Sequence, residues 1–437
     1  MDRVKITKYI ILFTVIVSTD FLGAMTSDST FGGLPLFDVP TILLAMYFFV
    51  TFREVESRIT PINSIVVAYL VLVTVIIITM PLREEESLIQ SFQAGRRYYI
   101  LLLAFVIDDN IYYSNSTRFV KRLVCFLGIY YTTVAAVNYI SPSLVEDLLP
   151  GLRNGADNNK GVLTRNYITE NTGILFAHFS FVLKGLEFLL DSNKRNLKNL
   201  FVLFYCLIGM FLIGLRAPLF SFVFSFILVC FLLSRKMANN NILEGRKQFK
   251  YIIGTLVLCI AINEIVNNKF VSFYQSVYND MSTNTEMRQN TFKGREIRAM
   301  QYQIPMALQH PYFGLGFIYK DTPAAKKYKY NKYTPNRVRD LYNMDFGYGT
   351  LWITFGLFGA VIILFCFVRA IFFIYIFSRK ILSPSLIQLV VVMLAFIICN
   401  YTWAVLRDAL GLIILAFSTS IANEEMMKLK EHNTSDR

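Results

Sequence analysis

The chain has 437 residues, of which 55% are hydrophobic and 17% charged, and its formal net charge is +13. A soluble protein would carry about a quarter charged residues. Here the apolar residues also come in runs of roughly 17–25, long enough to cross a ~30 Å hydrocarbon core. These features exclude an ordinary soluble protein and predict an all-α fold, a polytopic bundle of helices embedded in a membrane.

Twelve apolar runs are predicted to be transmembrane helices, although the fourth is short and only a tight turn, Asn400–Asp408, separates the last two. The twelve predicted spans are residues 8–26, 34–52, 61–82, 96–109, 119–140, 171–190, 197–214, 217–234, 250–267, 349–377, 384–400 and 404–422. They divide the chain into three parts. Residues 1–267 hold spans one to nine, residues 268–348 form one large polar loop, and residues 349–437 hold spans ten to twelve and a tail.

Lysine and arginine are concentrated in alternate loops, and this bias sets the sidedness of a membrane protein. It predicts that both termini are cytoplasmic and that the 268–348 loop lies outside the cytoplasm. Arginines on the outer side are informative, because the bias does not explain them. They include Arg96, Arg97, Arg153, Arg165, Arg216, Arg288, Arg295, Arg298, Arg337, Arg339 and Arg407. Such an external basic field attracts anions. Phosphate-bearing lipid or acidic sugar suits it better than nucleic acid, for which no binding module is visible.

All six cysteines lie within apolar runs. Cysteine ligands for a metal are therefore excluded from the long polar loop, and we expect neither a metal nor another cofactor. Within this loop, Ile297, Met300, Ile304 and Leu308 have helical spacing. Pro311 then ends the helix, and the glycines that follow it permit a tight path of the backbone.

Three segments resemble the O-antigen polymerase and ligase superfamily, and most closely its Wzy-type polymerases. The first is Leu212-Ile-Gly-Leu-Arg-Ala-Pro-Leu219, in which an arginine opens an outer helix start. The second is Ala307-Leu-Gln-His-Pro-Tyr-Phe-Gly-Leu-Gly-Phe317, similar to the family's helix followed by a His-Pro-x-x-Gly-x-Gly turn. The third is Asp345-Phe-Gly-Tyr-Gly-Thr-Leu-Trp-Ile-Thr-Phe-Gly-Leu-Phe-Gly359. The resemblance covers mainly residues 205–365.

The resemblance implies transfer of a growing glycan from undecaprenyl diphosphate to a repeat unit linked to the same carrier, at the outer face of the bacterial inner membrane. O-antigen and capsule biosynthesis both use this reaction class. The implied partners are the lipid-linked oligosaccharide, membrane lipid and a regulator of chain length. Ligases of the superfamily usually have His-Asn where this chain has Asp345-Phe346, which favours a polymerase. A ligase and a polysaccharide flippase remain alternatives, although no internal repeat of the kind common in transporters is visible.

The chemistry of such a transfer selects the candidate diphosphate-binding residues. Arginine binds two phosphate oxygens through its planar fork and stays charged. Arg216 is the first candidate, because Pro218 favours a helix start there and helix N-termini attract anions. The further candidates are Arg288, Arg295, Arg298 and Arg407. The structural alternatives are a lipid anchor for Arg216, a solvated helix face for the loop arginines and an ion pair with Asp408 for Arg407.

Two residues are candidates for handling the proton of the acceptor hydroxyl, a role that needs a carboxylate or an imidazole. Asp345 is the candidate base or acceptor-orienting group, and its structural alternative is an N-cap of span ten. His310 is the second candidate, and its alternative is a hydrogen-bonded histidine within a turn.

Overall fold

The structure is a computed structural model. It describes residues 2–19, 21, 30–31, 34–56, 59–84, 86–141, 144–145, 154–155, 167–168, 173, 175–213, 216–239, 304–319, 322–327, 347–378, 383–401 and 403–435. All statements below concern these residues.

The described chain is built from α-helices. They are α1 (Arg3–Ser18), α2 (Val39–Glu56), α3 (Ser64–Arg83), α4 (Leu88–Gly95), α5 (Leu103–Ser114), α6 (Arg118–Ile140), α7 (Leu175–Leu190), α8 (Leu197–Ile213), α9 (Arg216–Asn239), α10 (Ile304–Gln309), α11 (Pro323–Lys327), α12 (Gly347–Ser378), α13 (Pro384–Cys399) and α14 (Ala409–Ser435). Short 3-10 segments cover Leu36–Asp38, Arg96–Leu102 and Ser192–Lys194. Two antiparallel pairings of two residues each, Thr30–Phe31 with Leu34–Pro35 and Asn154–Gly155 with Tyr167–Ile168, are the strands in the described part. The predicted all-α class is confirmed.

The apolar character of the helices fits a multi-pass membrane protein. Among the described residues, α3, α6, α12 and α14 are long and apolar enough to cross a membrane, and α8, α9 and α13 are shorter apolar helices. A backbone in lipid must satisfy its hydrogen bonds internally, which favours helices. Every predicted span overlaps a helix except the ninth, 250–267, which lies outside the described residues. The count of twelve remains a prediction.

Helix packing places α14 at the centre of the bundle. This helix packs on α5 and α13, whereas α12 packs on α3 and α13 and α9 packs on α13. Of its apolar window, α14 buries 89%, but α12 buries only 28% and exposes a wide apolar surface. The helices α6, α7 and α8 pack on one another as a second group.

The starts of two predicted spans show how local contacts set a helix boundary. The fourth opens as the 3-10 segment Arg96–Leu102, where the Arg96 guanidinium lies 2.6 Å from the Asp38 carboxylate. The last begins at Ala409 instead of residue 404, because the Asp408 carboxylate accepts a hydrogen bond of 3.2 Å from the Leu410 amide. Capping by an aspartate fixes a helix start that apolar character alone does not mark.

Candidate functional site

The segment from 310 to 317, here called the motif turn, follows α10 and contains two glycines with left-handed backbones. Gly314 has φ +67° and Gly316 has φ +82°. A Cβ on Gly316 would collide with the Met80 sulfur, and one on Gly314 would collide with the backbone of Gly356. The predicted tight path is confirmed, and the turn requires glycine for both its dihedral angles and its close packing.

The motif turn fills a break in α12. At Gly356 the helix has φ +67° and ψ −179°, so it consists of two helices that meet at this residue. A break frees backbone groups, which must find other partners in a buried environment. The turn supplies these partners through three hydrogen bonds: Leu357 N to Pro311 O (2.8 Å), Phe358 N to Tyr312 O (3.2 Å) and Leu315 N to Ile353 O (2.5 Å). The second and third sequence motifs therefore form one structural unit.

The end of α3 holds the motif turn from the other side. The Arg83 guanidinium donates to the Gly314 carbonyl. The buried Glu86 carboxylate accepts hydrogen bonds from the Tyr319 amide (2.9 Å) and the Thr322 hydroxyl (2.7 Å). Burial raises the pKa of Glu86, and these hydrogen bonds partly offset the increase. Arg83 at the end of α3 and Glu86 just after it therefore bind the chain that follows His310.

The His310 side chain lies next to a carboxylate. Its Nε2 atom is 4.0 Å from Glu84 Oε1, and the two side chains are 27% and 5% exposed. The backbone of His310 also belongs to the turn, since its carbonyl accepts from the Gly314 amide at 3.0 Å. The main chain of His310 therefore has the structural role considered above, that of a hydrogen-bonded residue within a turn. Its side chain forms a half-accessible imidazole–carboxylate pair, an arrangement that can orient and exchange a proton.

An aromatic cluster connects the motif turn to Arg407. Its members pack with ring centroids 5.2 to 5.9 Å apart and are Tyr69, Tyr98, Phe317 and Phe355. The Tyr69 hydroxyl donates to the carbonyl of Leu406 at 2.7 Å. The segment that carries half-buried Arg407 is thereby fixed to the same cluster as the turn and the broken helix.

The aromatic cluster thus contacts both the segment that follows His310 and the segment that carries Arg407. Arg216 is the first residue of α9, which agrees with the predicted helix start. The remaining candidates, Asp345, Arg288, Arg295 and Arg298, lie outside the described residues, and their roles stay predictions.

Sequence reasoning missed the end of α3 as part of this site. Arg83, Glu84 and Glu86 follow the third predicted span as a short charged loop, and their charge balance indicates only that this loop lies outside the cytoplasm. The available signal was a cluster of charged residues immediately after an apolar run, but sequence spacing does not show that it contacts a turn more than 220 residues away.

Part of the chain is similar to a known protein family. Residues 201–364 match the model of a family described as O-antigen ligase. The matched segment runs from α8 into α12 and contains both the motif turn and the helix break. No curated protein matches the chain. The family indicates a glycosyltransferase-like enzyme that processes glycans and uses lipid-linked oligosaccharides. This match supports the O-antigen polymerase and ligase superfamily for residues 201–364, and the apolar helices indicate a multi-pass membrane protein.

Proposed function

We propose that this protein is a polysaccharide polymerase. It transfers the growing glycan from undecaprenyl diphosphate to a repeat unit that is itself linked to undecaprenyl diphosphate. The reaction takes place at the outer face of the bacterial inner membrane, in O-antigen or capsule biosynthesis. The observation that supports it most is the union of the motif turn with the broken helix α12, inside the segment that matches the family.

The transfer makes one bond and breaks one. The acceptor hydroxyl oxygen forms a bond to the anomeric carbon of the growing glycan, and the bond from that carbon to the carrier diphosphate breaks. The bonding electrons leave with the diphosphate, which gains negative charge, while the hydroxyl proton passes to a base on the protein. Neither an oxidant nor a nucleotide is needed, because the diphosphate is already a leaving group.

Arginine side chains would stabilise the departing diphosphate. Fixed positive charges in a site that excludes water are usually the largest catalytic contribution. Arg216 at the start of α9 is the principal candidate, because the helix N-terminus adds its own positive potential. Arg407 is supported by its connection to the aromatic cluster through Leu406. Arg288, Arg295 and Arg298 complete the proposed binding set.

Asp345 is the proposed base or acceptor-orienting group. Asp345 lies two residues before Gly347, the first residue of α12. His310 is the second candidate for this proton, supported by its position 4.0 Å from the Glu84 carboxylate. A carboxylate beside an imidazole stabilises the imidazolium that forms when the ring accepts a proton.

O-antigen ligase is the second candidate function, because that is the description of the matching family. A ligase would move the finished glycan from the carrier to a different lipid acceptor. Asp345-Phe346, in place of the His-Asn of ligases, favours the polymerase. The proposed sidedness is common to both functions: the termini are cytoplasmic, and the 268–348 part lies outside. A chain-length regulator is the expected protein partner of the polymerase.

The test is the glycan profile of a strain that lacks the gene, with and without a plasmid copy. Surface glycans shortened to one repeat unit, with full length restored by the wild-type gene, would support the polymerase. Full-length glycan stranded on the carrier outside the membrane would instead identify a ligase. Single repeat units held on the inner leaflet would identify a flippase, and an unchanged profile would exclude all three roles.

A further inference from the structure

The segment from 310 to 319, which contains the motif turn, begins and ends beside the same end of α3. At its start, the Nε2 atom of His310 lies 4.0 Å from the carboxylate of Glu84, the residue that directly follows the helix. At its end, the Tyr319 amide donates to the Glu86 carboxylate at 2.9 Å. Residues that terminate α3 therefore hold both ends of this segment.

Between these two points the segment runs back along α3. A Cβ added to Gly316 would contact the side chains of both Met80 and Ile76. Ile76 lies seven residues before Arg83, the last residue of α3, which corresponds to about 10 Å along the helix axis. Gly316 is therefore at the tip of a loop that starts at the end of α3, descends beside the helix and returns.

The tip also lies beside the interior of α12. The Leu315 amide donates to the Ile353 carbonyl at 2.5 Å, and a Cβ added to Gly314 would contact the backbone of Gly356. Ile353 and Gly356 lie about 9–14 Å along the helix axis from Gly347, the first residue of α12. The loop is therefore inserted between two helices and does not rest on their ends.

The helix α3 gives the depth of the tip in the membrane. Its 20 residues are about 30 Å long, which matches the hydrocarbon core of a bilayer. Residues 59–82 include no charged side chain, and Arg83 and Glu84 then mark the boundary with the lipid headgroups. Because Gly316 packs on Ile76, the tip of the loop lies within the hydrocarbon region.

A backbone at this depth must find its hydrogen-bond partners within the protein. Each carbonyl from His310 to Gly314 accepts a hydrogen bond from a protein donor. The donors are the amides of Gly314, Leu357 and Phe358, the Trp352 indole and the Arg83 guanidinium. Residues 314–318 are also buried. The loop therefore meets the condition under which irregular backbone is tolerated in a membrane.

Two aromatic side chains of the loop extend an apolar surface of α12. Tyr312 and Phe313 are 57% and 66% exposed, and their ring centroids lie 5.7 and 5.6 Å from that of Phe358. Phe358 is itself exposed, and the exposed apolar face of α12 continues through Val361 and Phe365. Aromatic residues are enriched where a membrane protein meets the headgroup region. The two rings are thus continuous with the face that α12 presents to lipid.

We propose that residues 310–319 form a re-entrant loop and that the rings of Tyr312 and Phe313 contact the acyl chains of membrane lipid. Lipid fits better than water, because protein donors satisfy the carbonyls and the exposed side chains are aromatic. Lipid also fits better than a protein partner, because the rings continue the apolar surface of a membrane-spanning helix. The predicted outer loop, 268–348, thus returns to the membrane in this segment. This inference does not depend on the proposed glycan transfer.

Spin labels on cysteine variants test the proposal in the full-length protein, reconstituted into liposomes. Tyr312→Cys and Phe313→Cys carry the label, and its collisions with oxygen, which concentrates in lipid, are compared with its collisions with a water-soluble nickel chelate. We expect the ratio of oxygen to nickel collisions at both positions to be several-fold higher than at Asn193→Cys and close to that at Val361→Cys. Asn193 is an exposed residue between α7 and α8, and Val361 is 53% exposed on α12.

The wild-type protein, treated with the same reagent, gives the background of the native cysteines, of which Cys125, Cys206, Cys230 and Cys399 are buried. If a variant does not fold, a phosphatidylcholine with a photoactivatable acyl chain is crosslinked to the wild type, and adducts on Tyr312 or Phe313 are expected by mass spectrometry. A collision ratio equal to that at Asn193 would place the rings in water. Low collision rates with both reagents would show that protein covers them. Either result, or the absence of adducts, would overturn the proposal.

Discussion

The motif turn and a group of buried polar residues here called the Asp108 cluster lie at opposite ends of α3, and both bury polar groups, but they do so in different ways. The cluster consists of Thr60, Asn63, Asp108 and Asn423. Around the turn, side chains bind the main chain: Arg83 and Glu86 contact backbone atoms, and the Trp352 indole donates to the Pro311 carbonyl at 2.9 Å. In the Asp108 cluster, side chains bind side chains. The first arrangement fixes a backbone path, and the second holds helices together.

This difference indicates where function and stability reside. Main-chain bonds at the turn leave the His310 imidazole facing Glu84 and half accessible. The Asp108 end is closed, and the neighbouring Arg3–Asp109 pair ties α1 to α5. Changes at the turn are therefore expected to alter glycan transfer, and changes at the Asp108 end are expected to alter stability. The predictions below test this division, from the largest effect to the smallest.

Gly356→Val should have the largest effect on folding and activity, because Gly356 lies where the motif turn packs against the break in α12. Any Cβ there would collide with the Tyr312 carbonyl, and φ +67° is strained for a branched residue. We expect a loss of about 4 kcal/mol or more of stability, with no glycan polymerisation. Folded yield by size-exclusion chromatography is the measurement. Val361→Ala, at a 53% exposed position on the same helix, is the control and should be nearly neutral.

Arg216→Ala tests the proposed diphosphate site. Removal of one fixed charge from the transition state is expected to lower the rate of chain lengthening about 10³-fold, with normal insertion into the membrane. Glycan length in a complemented deletion strain and protein abundance in membranes are measured together. Arg216→Lys keeps the charge without the planar fork and should retain part of the activity. Wild-type glycan length from the alanine variant would remove Arg216 from the mechanism.

Arg3→Met tests the buried polar region around Asp108 and Asp109. It removes the cationic partner of Asp109, which is 1% exposed, and should cost about 3 kcal/mol. Thermal unfolding is the measurement. The control is Glu54→Gln, which breaks the other Arg3 ion pair, of 2.7 Å, at a carboxylate that is 50% exposed. It should cost less than about 1 kcal/mol. Equal losses in both variants would contradict the distinction between buried and exposed pairs.

Asp345→Asn should slow glycan transfer about 10²-fold while leaving abundance unchanged, because an amide cannot accept the hydroxyl proton. The measurement is polymerised glycan per molecule of membrane protein. Unchanged transfer, together with normal abundance, would leave Asp345 as a helix cap and make His310 the remaining candidate. His310→Gln, tested in parallel, separates these two assignments.

Glu86→Gln should have the smallest effect on the free energy of unfolding, and this effect should depend on pH. The folded-state pKa of Glu86 is raised above its ordinary value of 4.5. The protonated form is thus favoured by folding, and this stabilisation is present below pH 4.5 and is lost as pH rises through the raised pKa. The glutamine variant should lack this loss, which amounts to no more than about 1 kcal/mol.

Unfolding midpoints measured from pH 4 to pH 8 check this prediction. Thr322→Val removes a hydrogen bond that lowers the pKa of Glu86, so it should move the loss of stability to higher pH. Identical pH curves for wild type and Glu86→Gln would show that Glu86 does not titrate differently in the folded state.

Several features of the turn could be predicted from the sequence because they are local. Pro311, Gly314 and Gly316 limit the backbone to a few conformations wherever they occur. The break at Gly356 was not predicted, because an apolar run with a glycine reads as a continuous span. It becomes visible only when the turn supplies the carbonyls that the broken helix requires. Similarly, Asp108 and Asp109 are adjacent residues of the same type, yet within the described part of the chain only Asp109 forms an ion pair with an arginine.

The sequence by itself determined that this chain is an all-helical membrane protein, where most of its helices lie and which family its second half resembles. Apolar length and glycine or proline chemistry act within a few residues, so they can be read along the chain. The tertiary structure decided that the end of α3 holds the motif turn, that His310 faces Glu84 and that Asp108 has no cationic partner among the described residues. Those results depend on contacts between residues tens to hundreds of positions apart, which spacing along one chain does not encode.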